Sequence, residues 1–206
     1  MSCRDDYLAA ARAVVDQIER LPDDGWEAPA LGEWTVRTLV GHLGSMLTSV
    51  VEACSHPAPS VDLPTTAGYY AFRRRLDPDV YAQALVAVAE VHAADTDALG
   101  PDPVSTVHHW FDEAVGTLGD TPDDAIVTTP AGGMLLRDWL PTRTFELAVH
   151  GLDLEAATGI AVTLPPNVLD AATTLVATTA VEIGEGRNEL LALTGREALP
   201  SGWSAL

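Results

Sequence analysis

One stretch alone in this chain, DAIVTTPAGGM at residues 124–134, has the composition of extended structure. Elsewhere apolar residues recur every three or four positions, the period of helices buried along one side. Residues 5–21 predict a first helix, with Leu8, Val14, Val15, Ile18 and Leu21 on one face. PDDGWEAPALGEW, at 22–34, is rich in turn residues. Thr35 then caps a second helix at 36–54, striped by Val36, Leu39, Leu43, Met46, Leu47 and Val50. A short piece at Tyr69–Leu76 precedes a third long helix, Asp79–Leu99, and Pro103 starts a fourth at 104–118. The next helix contains Pro141, which is tolerable if the helix begins near Asp138, because first-turn N–H groups have no intrahelical partner. It ends at Gly159; Pro165 and Pro166 open another helix to about Gly184, and NELLALTG forms a last short one. The expectation is a mostly α protein, a bundle of four main helices with additional short ones. Residues 1–160 form the bundle and 161–206 a helical extension packed on it, together one domain.

Charge limits the partners. The formal net charge is −19, from 11 arginines and no lysine against 30 acids. Such a surface argues against nucleic acid phosphates and anionic membrane. No apolar run approaches the roughly 20 residues of a membrane span. Acids occupy the N-terminal positions where a signal peptide has its apolar core. Two cysteines, Cys3 at a loose terminus and Cys54 near a helix end, make no disulfide framework. These features predict a soluble cytoplasmic protein, with a homodimer as an ordinary possibility. No G-x-S-x-G, P-loop or G-x-G-x-x-G is present, so those enzyme classes have no support.

The segment RTFELAVHGLDL, 143–154, carries the chemistry. Its apolar residues point around nearly the whole helix axis, which predicts a helix packed on all sides. Yet Arg143, Glu146, His150 and Asp153 fall at steps of three, four and three, along one stripe. A carboxylate inside such a helix needs a cation, an arginine or a metal. Glu and His at i and i+4 reach one ion, and a third ligand must come from another helix. The best candidate is His42 in LVGHL, where Gly41, Gly44 and Ser45 leave room. His42, Glu146 and His150 make a good site for Zn²⁺ with one coordination position open. The plain alternative keeps His42 as a core histidine and pairs Glu146 with Arg143 on the surface. Asp153 either orients a ligand imidazole or is a surface acid. His108 and His109 are adjacent, so at most one lines a cleft; His92 reads as surface and His56 as loop.

WTVRTLVGHL (34–43) and RTFELAVHGLDL, with AGGMLLRDWL before the second and LLALTGR (190–196) near the end, resemble the mycothiol-dependent maleylpyruvate isomerase family. The resemblance runs from about residue 5 to the end. It implies a DinB-like metal-binding helical bundle whose ligands fall on His42, Glu146 and His150. It also implies zinc or another divalent metal, mycothiol as thiol cosubstrate, a small-molecule electrophile and an actinobacterial cytoplasm. The implied activity is an isomerase or S-transferase; a non-catalytic metal-binding or regulatory module is the alternative. The chain is too short for the separate C-terminal α/β domain of the characterised isomerase, which supplies an arginine to its site. Arg196 in LTGR is the candidate replacement, and Arg143 or Arg196 would hold an acidic substrate's carboxylate.

Overall fold

The computed structural model describes residues 2–74, 76, 77, 79, 90, 91, 93–201, 203 and 204. Helix α1, Cys3–Ile18, starts at a reciprocal cap: the Ser2 hydroxyl accepts from Asp5 N–H and the Asp5 carboxylate from Ser2 N–H. Cys3 is thus the first residue of a capped helix and not a loose end. Helix α2, Val36–Ser55, begins at the expected Thr35 cap. The short α3 covers Thr66–Arg74. Helix α4, Pro103–Asp120, has Asp102 as its cap and proline in its first turn. The expected third long helix lies mostly outside the described residues, although 93–98 are helical. The extended stretch is an antiparallel hairpin, β1 Ile126–Thr129 and β2 Gly132–Leu135. Helix α5 is Leu136–Thr158, α6 Pro166–Glu182 and α7 Gly186–Leu193.

Four long helices close a ring: α1 and α2 are each flanked by α4 and α5. The Tyr7 hydroxyl crosses the centre and donates to the Met46 carbonyl at 3.1 Å. Helix α5 also touches α3, α6 and β2. That number of neighbours explains why its apolar residues face nearly every direction, with Trp139, Leu140, Leu147 and Leu154 all fully buried. Leu152 is the exception to packing on all sides, being 47% exposed. Helix α6 lies on α5, α3 and α1, and α7 on α6.

Pro141 sits deeper in its helix than its chemistry suggested. Helix α5 begins two residues before Asp138, because the loop leading into β1 supplies its first acceptors. Leu136 N–H donates to Ala125 O at 2.8 Å and Arg137 N–H to Asp123 O at 3.0 Å. Pro141 therefore withholds a helical N–H from the Arg137 carbonyl. Neighbouring carbonyls are covered by hydroxyls: Thr66 donates to Asp138 O and Thr142 to Trp139 O, both at 2.6 Å. The small residues of α2 serve packing instead of leaving room. A Cβ on Gly41 would lie 2.9 Å from backbone atoms of Thr96, and one on Gly44 would strike the Trp110 ring.

Candidate metal centre

Packing of α2 on α5 turns His42 toward that helix. There Glu146 and His150, one turn apart, face it. One ligand atom from each of His42, Glu146 and His150 lies within 4.8 Å of the others. The imidazoles of His42 and His150 meet edge to face, ring centres 4.7 Å apart. Glu146 Oε2 is 3.3 Å from His150 Nε2. Zinc–nitrogen and zinc–oxygen bonds of about 2.0–2.2 Å place neighbouring donors of a tetrahedral site roughly 3–4 Å apart. Two imidazoles and one carboxylate at this spacing fit a divalent ion of borderline hardness.

The surroundings hold the donors in place. Asp153 Oδ2 is 2.9 Å from His150 Nδ1, so that nitrogen carries the proton and Nε2 faces Glu146. Asp153 is accordingly the imidazole-orienting acid, not an idle surface residue. The Tyr70 hydroxyl donates to Glu146 Oε1 at 2.8 Å and leaves Oε2 toward the imidazoles. Burial alone would push the Glu146 carboxyl up. The hydrogen bond from His150, the charge of Arg143 and the Tyr70 hydroxyl outweigh it and hold the carboxyl at about 2. Burial likewise opposes charge on His150, but Glu146 and Asp153 win and raise its pKa.

That reciprocity would make uptake of a metal at these residues proton-linked. In the metal-free protein His150 keeps its Nε2 proton to a higher pH than a free imidazole, and a metal must displace it. Zinc affinity is therefore expected to rise with pH up to the raised His150 value and to level off above it. Dye-competition titrations across pH 5.5–8.5 check this, and a flat profile contradicts it.

Arg143 is buried at 8% exposure, not spread over the surface beside Glu146. Its Nε donates to Thr142 Oγ1 at 3.1 Å and its Nη1 to Met46 Sδ at 3.2 Å. Its guanidinium lies 5.2 Å from the Trp139 ring centre and 5.7 Å from that of Tyr69. Among the described residues Nη2 makes no hydrogen bond. Arg196 is exposed beyond α7 and donates to its own neighbour's Thr194 carbonyl. No described contact joins Arg196 to the three candidate ligands.

The other histidines stand apart. His108 pairs with Glu19 across α4 and α1 at 2.5 Å, and His109 is exposed near Glu113. Neither is in the three-residue group, so of the two adjacent histidines neither lines the cleft: helical phase turns His108 to α1 and His109 to solvent. His56 is in a loop, as expected, bonded to Glu52 O; His92 lies outside the described residues. Sequence reading missed Tyr70, which lies 76 residues from Glu146, and Trp34, whose ring centre is 5.4 Å from that of His42. No local spacing links Tyr70 to the ligands, whereas Trp34 opens the WTVRTLVGHL motif that contains His42.

A family model described as mycothiol maleylpyruvate isomerase N-terminal domain matches residues 7–155. That span holds all three candidate ligands and stops before α6. Comparison with curated proteins and with solved structures returned no match.

Proposed function

Because the chain belongs to the mycothiol maleylpyruvate isomerase N-terminal domain family, we propose that it is a metal-dependent enzyme acting on a small electrophile with a low-molecular-weight thiol, mycothiol by family. As an isomerase it would form a C–S bond at an activated cis double bond, permit rotation, and break that bond again. As an S-transferase its thiol sulfur would displace a leaving group or open an epoxide ring, and the new C–S bond would remain. The observation that carries this reading is the convergence of His42, Glu146 and His150, already oriented by Asp153 and Tyr70.

His42, Glu146 and His150 would hold the metal, zinc or another divalent ion. Such an ion supplies Lewis acidity that favours the thiolate of an incoming thiol near neutral pH. Three protein donors leave a position for it. The chain's own thiols are poor substitutes, because burial pushes both Cys3 and Cys54 up, away from the reactive thiolate. Arg143 offers Nη2 to an anionic group of the substrate, while its charge adds to the His150 and Tyr70 hydrogen bonds that favour ionised Glu146. Thr142, Met46 and Trp139 hold the guanidinium so that little freedom is lost when an anion docks.

A non-catalytic metal-binding module is the second reading. It is favoured by the position of Arg196, which leaves the described site without a second arginine. One experiment separates the two. Zinc-loaded protein is incubated with mycothiol and a panel of electrophiles, maleylpyruvate included, with and without chelator. Thiol-dependent, chelator-sensitive consumption of one electrophile is expected. Tight metal with no consumption across the panel selects the module.

A further inference from the structure

Helix α3 is short, yet it reaches α5 at three points around the candidate ligands. Thr66 donates to Asp138 O, Tyr70 stands one turn later, and Tyr69 lies under the Arg143 guanidinium. Tyr70 is 3% exposed, and its ring packs edge-on against Phe145 with centres 5.7 Å apart. A ring so enclosed cannot swing freely, so its hydroxyl is a fixed point. That hydroxyl has two acceptors near it, Glu146 Oε1 at 2.8 Å and the Thr142 carbonyl at 3.2 Å. It has one proton. The shorter, charge-assisted contact takes it.

A carboxylate has two equivalent oxygens, and on a flexible glutamate either can turn toward a cation. Here one oxygen is occupied by Tyr70 and the other faces His150 Nε2 at 3.3 Å. We infer that Tyr70 is a positioning residue that clamps Glu146 Oε1, so that Oε2 alone is presented to a divalent cation shared with His42 and His150. The inference rests on the metal reading above and adds to it a residue from a third helix. By this logic α3 belongs to the centre although it contributes no ligand. Residues that orient metal ligands through hydrogen bonds commonly change affinity tenfold to a hundredfold when removed.

The test uses the full chain, stripped of metal and titrated with Zn²⁺ against a competing chromophoric chelator. Tyr70→Phe is expected to weaken zinc binding roughly tenfold to a hundredfold. Tyr69→Phe, which removes a hydroxyl with no described bond to Glu146, is expected to stay within about twofold of wild type. Thermal melts of the metal-free proteins accompany the titrations. A role confined to packing would lower the Tyr70→Phe melting temperature and leave zinc affinity unchanged, and that result overturns the clamp. Wild type that binds no zinc would overturn the metal reading itself, a separate outcome. Labelling wild type with ¹³Cζ-tyrosine gives a readout that does not depend on the variant folding. The Tyr70 signal is expected to shift on zinc addition, whereas Tyr7, bonded to the Met46 carbonyl, stays in place. An unmoved Tyr70 signal overturns the inference.

Discussion

Wild-type protein purified without a metal-affinity tag is expected to carry about one divalent ion per chain, and His150→Ala less than a tenth of that. The size of the effect follows from the donor count. Three ligands hold an ion in a common grip, and removing one leaves only His42 and Glu146, one from each helix. Removing His150 also takes away a hydrogen bond and a charge that hold the Glu146 carboxyl at about 2. Elemental mass spectrometry on both proteins, before and after reconstitution with zinc, decides the matter. Equal metal in the two would remove His150 from the site. No metal in either would remove the site.

Arg143→Met is expected to separate binding of metal from binding of substrate. Glu146 keeps His150 and Tyr70 in the variant, so it stays ionised at neutral pH and the metal content should not fall. Methionine also fills much of the space between Met46 and Trp139. A substrate carboxylate loses its cation. Hydrogen bonds to charged groups contribute about 1.5–3 kcal/mol, so kcat/KM for a carboxylate-bearing electrophile should drop roughly tenfold to a hundredfold. A neutral electrophile should lose little. Steady-state kinetics with the two substrate types, each with parallel metal analysis, provide the check. Equal losses for both would mean that Arg143 serves Glu146 alone and touches no substrate.

Much of the architecture is written in local signals. Thr35, Pro103 and Gly159 mark helix ends because the groups that start and stop a helix lie within a few residues of one another. The extended stretch at 124–134 was visible as a break in helical periodicity, although its pairing into a hairpin was not. The Glu146–His150 pair is also local, since residues four apart share a helix face whatever surrounds them. His42 was a further step, reachable as a histidine in an otherwise apolar helix and reinforced by family likeness.

Distance along the chain hid the rest. Leu136 and Arg137 join α5 only because the β1 approach loop turns its carbonyls toward them, and this moved Pro141 past the first turn. Gly41 and Gly44 look like space for a ligand until the 95–96 backbone and the Trp110 ring arrive. Arg143 reads as a surface partner for Glu146 until Met46, Trp139 and Tyr69 enclose it. Periodicity and capping depend on neighbours in sequence, so the sequence by itself determined the helices and the phase of each candidate ligand on its own helix. Which faces meet depends on how all the apolar stripes are buried together. Only the tertiary structure could therefore bring His42 onto α5, turn Tyr70 to Glu146 Oε1, and leave Arg196 outside.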